Sequence, residues 1–172
     1  DFAGQPKVKE RIEVLVQGSA VVTRSHVNEL RIQEDVDGRG QPMQSVVFGG
    51  RNPVTVDLGA GAMAGYQRSA NDLIPGIRAD LDELATEIIR RVNELHEAGV
   101  TEEGVGVSLF VGTSAATIAI NEAVENNNRL VATGRDGTPG DNTLAKDIAN
   151  LGTSVVAGHD RSLDDLYYTF VG

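Results

Sequence analysis

Between residues 74 and 95 the apolar residues fall at Ile74, Ile77, Leu81, Leu84, Ile88, Val92 and Leu95, in steps of three and four. Such steps return every apolar side chain to one stripe of an α-helix, whose period is about 3.6 residues. Arg78, Asp80, Asp82, Glu83, Glu87 and Arg90 fill the remaining faces. The spacing predicts a helix over residues 66–97, ended by Ala98-Gly99, where glycine suits the left-handed turn that closes a helix. Pro75 lacks an N–H and crowds the preceding turn, so it should kink this helix or mark its true start. From Gly76 to Ala98 the helix would span roughly 35 Å at about 1.5 Å per residue. A narrow stripe on so long a helix needs a cover. Bundles and coiled coils supply one from other helices; the alternatives are the chain's own sheet, with the helix lying across it, its later segments, or a second copy.

The first 60 residues follow a different period. Arg11-Ile12-Glu13-Val14 alternates apolar and polar until Leu15 and Val16 blur the pattern, and Glu29 to Glu34 alternates cleanly, as a half-buried strand should. Asp35 to Gly40 reads as a turn, Gln44 to Phe48 as the start of the return strand, and Val54 to Leu58 as a further strand after the breaks at Gly49-Gly50 and Asn52-Pro53. Together these imply a small antiparallel sheet. The fold class is therefore α+β: a small antiparallel β-rich part over residues 1–60, then a helical part over 61–172 made of the long helix, short strands and shorter helices.

Beyond Gly99 the punctuation is dense. A glycine-rich connection reaches Gly112, Ala116 to Ile120 reads as a short buried strand, and Asn121 can cap the turn after it. Asp141 or Asn142 is a good N-cap for a helix from Thr143 to Leu151 with Leu144, Ile148 and Leu151 on its apolar side. Ser162-Leu163-Asp164-Asp165 has capping-box spacing, with Asp in place of the commoner Glu, and opens a helix through Leu166, Tyr167 and Phe170.

Charge and composition exclude several function classes. The formal charge of −10, with only 15 Lys and Arg in 172 residues, opposes binding to nucleic acid or an anionic membrane surface. Zero cysteines exclude disulfides and thiolate chemistry. No apolar run approaches the roughly 20 residues of a membrane span. Asp1-Phe2-Ala3-Gly4 lacks the charged start and apolar core of a signal peptide, so the chain reads as the interior of a longer one.

The sequence carries no complete catalytic, cofactor or metal motif. Gly112-Thr113-Ser114-Ala115-Ala116 lacks the second glycine of a nucleophile elbow. His96-Glu97 opens like a zincin helix, but Val100 stands where the second His belongs, leaving a helix-end imidazole expected near the surface. His26 and His159 sit in unrelated contexts. Asp35-Val36-Asp37-Gly38 lacks the twelfth-position Glu of an EF-hand and suits a hairpin turn. Gly134 to Gly140 has no phosphate-binding Gly-Lys-Ser/Thr, and the pairs Glu102-Glu103 and Asp164-Asp165 belong to a loop and a cap.

Residues 77–85 (IRADLDELA), followed by Val92-Asn93-Glu94-Leu95-His96-Glu97-Ala98-Gly99, resemble the long helix of the flagellar hook-associated protein 1 family, the first hook–filament junction proteins. Gly61 to Tyr66 and Leu73-Ile74-Pro75 are similar to that family's approach to the helix. Leu109-Phe110, Ala116 to Asn121, Gly140 to Leu151 and Ser162 to Gly172 follow in the family's order. The resemblance implies a structural subunit without catalysis or cofactor, located extracellularly in the bacterial flagellum after export through the flagellar secretion apparatus. It implies a ring of copies that joins the hook protein on one side to a second, flagellin-like junction protein on the other. The β-rich part would lie outermost and the helical part in a bundle layer, with the family's terminal helices outside residues 1–172. Its packing stripe would be Ile77, Leu81, Leu84, Ile88, Val92 and Leu95, and its candidate assembly contacts Asp164, Asp165, Tyr167 and Tyr168. The alternatives are another axial flagellar subunit, such as the hook protein, or a surface domain that binds or processes carbohydrate. The last would require a facing carboxylate pair, about 5 or 6.5–9.5 Å apart, that no motif proposes.

Overall fold

The computed structural model describes residues 12–23, 25–38, 40–155 and 160–171. The chain forms two compact units, Asp1–Pro75 and Gly76–Gly172. Arg11, Arg39, His159 and Gly172, each part of a sequence expectation above, lie outside the described residues.

The first unit contains a hairpin of β1 (Val14–Val16) and β2 (Ser19–Val22), and a three-stranded antiparallel sheet of β3 (Leu30–Val36), β4 (Pro42–Phe48) and β5 (Val54–Thr55). The first hairpin was only half legible. Its return strand follows a two-residue turn at Gln17 and Gly18, both with positive φ (48° and 79°), which is the mirror-image turn that matches strand twist. In the sheet Leu30 pairs with Phe48 and Ile32 with Val46, so the clean alternation of the sequence places these side chains on one face. Val46, Val56 and Leu58 are buried there, against Val16, Leu30, Phe48 and Ala64. The turn between β3 and β4 closes on Asp37, whose carboxylate accepts from the Gln41 amide at 2.8 Å. That acidic cluster is hairpin chemistry, with the Asp37 amide donating back to the Gln41 carbonyl.

Helical backbone begins earlier than the periodicity predicts. Helix α1 covers Ala62–Arg68, a π turn covers Ser69–Leu73, and α2 runs over Ile74–Glu97. Pro75 therefore does not start the helix. An α-helical Pro75 would leave the Asn71 carbonyl without its usual donor and push its ring against it. The wider π turn comes immediately before, with the Ile74 amide donating to the Ser69 carbonyl five residues back. Asn71, inside this turn, grips β4: its Oδ1 accepts from the Gln44 amide at 2.8 Å and its Nδ2 donates to the Gln44 carbonyl at 2.7 Å.

The second unit is built on α2. Two small hairpins follow it, β6 (Val100–Thr101) with β7 (Gly104–Val105), and β8 (Phe110–Val111) with β9 (Ala119–Ile120). The glycine-rich connection is thus partly strand. The expected buried strand over 116–120 shrinks to two residues and is exposed, because residues 115–117 form a turn in which the Thr117 and Ile118 amides donate to the Ser114 carbonyl. Helices α3 (Glu122–Asn126), α4 (Thr143–Asn150) and α5 (Leu163–Val171) complete the unit. Asn121 caps α3 by accepting from the Ala123 amide at 3.1 Å. Leu144 of α4 is fully buried (0% exposed) and Leu151 nearly so. Gly99 leaves Leu144 its room, since a Cβ at that position would lie 2.4 Å from Leu144 Cδ2.

Leu144→Ala should destabilise the second unit by about 2–5 kcal/mol, through lost transfer energy and the cavity left behind. Leu81→Ala, at 37% exposure, should cost clearly less; chemical denaturation of the two variants side by side measures the difference.

Candidate assembly surface

The apolar stripe of α2 changes character along its length. Ile77 is 49% exposed and Leu81 37%, Leu84, Ile88 and Leu95 are half-buried, and Val92 is 6% exposed. The chain's own later segments therefore cover the C-terminal half of the stripe and leave Ile77 and Leu81 open. Near the open end a groove of about 240 Å³ is lined by Asp80, Glu83, Leu84, Arg161, Leu166 and Phe170. Of the four candidate contacts on α5, Tyr167 and Tyr168 are exposed and pack edge to face at 5.8 Å between ring centres. Asp164 is exposed too. Asp165 is already occupied: Ser162 Oγ accepts from the Asp165 amide at 3.0 Å, while Asp165 Oδ2 accepts from the Ser162 amide at 2.9 Å and from its hydroxyl at 2.7 Å. This is the capping box expected from sequence. The Ser162 hydroxyl and amide hold the Asp165 carboxyl below its ordinary range.

The faces of α2 away from the stripe hold the irregular chain in place. Asn93 Oδ1 accepts from the Leu109 and Phe110 amides, both at 2.9 Å, and its Nδ2 donates to the Phe110 carbonyl at 2.8 Å. Asp82 Oδ1 accepts from the Ala115 amide at 2.8 Å. Arg91, 4% exposed, donates to Glu87 at 2.9 Å and to the Arg161 carbonyl at 2.8 Å, and so anchors the segment before α5. Glu87 also takes the Arg90 guanidinium at 2.5 Å, and bonds from Arg90 first, then Arg91, lower its carboxyl from the ordinary 4.5, against the opposing effect of burial.

His96 is the largest departure from the sequence reading. Expected at the surface, it is fully buried (0% exposed). The Ala132 amide donates to its Nε2 at 2.9 Å, so that nitrogen carries no proton, and Nδ1–H donates to the Val107 carbonyl at 2.5 Å. One imidazole thus ties together two segments 25 residues apart in sequence, from Val107 to Ala132. Gly106 allows this approach, because a Cβ there would sit 1.9 Å from the His96 carbonyl oxygen. Sequence offered one signal, a histidine four residues from Val92 and near its stripe, but its partners are backbone groups that carry no residue signature.

The other chemical candidates are absorbed by local structure. Ser114 Oγ shares a bond with Thr117 Oγ1 at 2.8 Å. Glu102 and Glu103 both meet Arg129, at 3.1 and 3.2 Å. Asp141 gathers the loop before α4, accepting from the Thr143 amide and hydroxyl and from the Arg135 amide; these bonds hold its carboxyl far below the usual range. Asn142 stands at the N-cap but makes no capping bond, so Asp141 does that work. Among the described residues no three His, Asp or Glu side chains are grouped to hold a metal ion.

A long amphipathic helix whose polar faces bind its own loops, with part of its apolar stripe left open, defines an α+β structural domain. The family model of the flagellar hook-associated protein FlgK helical domain matches residues 3–110, and the chain belongs to that family. It is accordingly a structural, hook-associated component of the bacterial flagellum. The matched range takes in the β-rich segment as well as α2, and ends before the resemblances at 116–172. No curated protein matches the chain.

His96→Ala removes two bonds and leaves the Ala132 amide buried without an acceptor, so unfolding should be easier by about 3 kcal/mol or more, a value thermal or chemical denaturation will give. The lowered Glu87 carboxyl contributes stability that is complete above its ordinary 4.5 and is lost as pH falls through the depressed folded value. A melting-temperature series in acid should therefore be shallower for Glu87→Gln than for the parent chain.

Proposed function

We propose that this chain is a subunit of the hook–filament junction that acts by assembly alone, with no catalytic step. Copies of it associate in a ring, with the hook protein on one side and a second, flagellin-like junction protein on the other. The subunit reaches that position outside the cell through the flagellar export route. The β-rich residues 1–60 lie towards the outside, and residues 61–172 form the helical layer that joins neighbouring subunits. Family membership supports the hook-associated role. The observation that carries the assembly reading is the half-covered stripe of α2. Its C-terminal half is buried by the chain itself, whereas Ile77 and Leu81 expose apolar surface on a helix otherwise rich in charge. Tyr167, Tyr168 and Asp164 on α5 add further exposed contacts. Asp165 contributes mainly by fixing the start of α5, since its carboxylate is held by Ser162.

The test uses the full-length protein in flagellated cells. Ile77→Glu combined with Tyr168→Glu alters two exposed positions, so the fold should tolerate it, each such change usually costing no more than about 0.5 kcal/mol. The variant should still be exported, yet cells should shed filaments and swim poorly. Normal swimming and stable filaments would contradict the proposal, as would turnover of a polysaccharide by the purified protein.

A further inference from the structure

Among the described residues, the sheet of the first unit ends in a strand that is paired on one side only. In the β3–β4 ladder the Gly49 amide donates to the Glu29 carbonyl at 2.7 Å, and the Asp37 amide to the Gln41 carbonyl at 2.8 Å. Odd-numbered residues of β3 therefore exchange backbone bonds with β4, and the N–H and C=O groups of Leu30, Ile32 and Glu34 point the other way. β3 is the end strand in the order β3-β4-β5. Among the described residues, nothing bonds to those outward groups, and the Val36 amide is taken by Asp35 Oδ1 at 2.8 Å. Ile32, in the middle of the strand, is 70% exposed. An edge of seven residues that no described residue pairs with is a template for another strand.

We propose that this edge pairs with β3 of a second copy, antiparallel, about a two-fold axis at Gln33. The charge pattern of Leu30-Arg31-Ile32-Gln33-Glu34-Asp35-Val36 selects that register. Ile32 of each copy then exchanges both backbone bonds with Glu34 of the other, and Leu30 meets Val36. Arg31 faces Asp35 on both sides of the axis, at positions without backbone bonds, where opposed side chains come closest. Centring the axis on Ile32 would set Arg31 against Gln33 and form no ion pair. Centring it on Glu34 would set that carboxylate against its own copy. Arg31 now meets Glu29 at 2.9 Å, with both side chains mostly exposed, so the pair is worth little and Arg31 is available. A two-fold contact of this kind closes on itself and yields a dimer and nothing larger. It therefore describes the free chain and is separate from ring contacts, so its failure would leave the junction reading untouched.

The experiment is a charge exchange on the full 172-residue chain. Light scattering and sedimentation equilibrium, from micromolar to millimolar concentration, should find the parent chain moving from 18.2 kDa towards twice that mass. Arg31→Asp sets Asp against Asp, and Asp35→Arg sets Arg against Arg, so each variant alone should dimerise about tenfold more weakly. An equimolar mixture of the two variants restores both opposite-charge pairs and should dimerise like the parent. Unchanged circular dichroism establishes that each variant is folded; should either fail to fold, the Arg31→Asp/Asp35→Arg double variant, which also restores both pairs, replaces the mixture. A parent chain that stays monomeric at millimolar concentration overturns the proposal. A dimer indifferent to both single substitutions does so too, because its contact lies elsewhere. Loss of dimer without recovery in the mixture or double variant also overturns the assigned register.

Discussion

The second unit depends on a buried imidazole that accepts one backbone bond and donates another. His96 leaves α2 near its end, takes the Ala132 amide and gives its own N–H to the Val107 carbonyl. Without such a partner the Ala132 amide would be buried unsatisfied, at a cost comparable to a typical single-site destabilisation of the whole protein. Around it the chain has few long elements to rely on: the strands that follow α2 are two residues each. Short hairpins of that kind are marginal alone. They are fixed here because α2 supplies side-chain acceptors and donors at the points where ladder bonds are missing.

This division of labour lets α2 hold its own unit together and still leave part of its apolar stripe exposed for the assembly proposed above. Its polar residues Asp82, Asn93, Arg91 and His96 bind backbone groups from four places in the following chain. Its apolar residues are then used twice, towards the C-terminal end for the unit's own core and at Ile77 and Leu81 for exposed surface. A rigid helix that presents apolar positions in a fixed spacing suits a protein whose family is hook-associated and structural.

What was legible in the sequence was whatever repeats. The three-and-four spacing revealed α2, the two-residue alternation revealed β3 and β4, and Ser162 with Asp165 revealed a capping box. Each of these signals is local and carried by the side chains themselves. The rest is written in backbone groups, which every residue shares. His96 reads as a helix-end imidazole near the surface and nothing singles out Asn93, because their partners are the amides and carbonyls of Val107, Leu109, Phe110 and Ala132. The π turn before Pro75 escaped for a similar reason: proline announces a conflict but not its resolution, and a helix can answer by kinking, starting late or widening. The strand expected at 116–120 failed because a turn held by Ser114 and Thr117 outcompeted an apolar run too short to establish a period.

The central claim, that polar side chains of α2 fold the loops of the second unit, is tested most directly by hydrogen exchange at single residues. The amides of Leu109, Phe110, Ala115 and Ala132 lie outside any helix and donate to Asn93, Asp82 or His96. If those bonds hold the unit together, these amides should exchange as slowly as those in the middle of α2 and open with them in one cooperative step. Exchange at the rate of unprotected loop amides, with α2 still protected, would contradict the account.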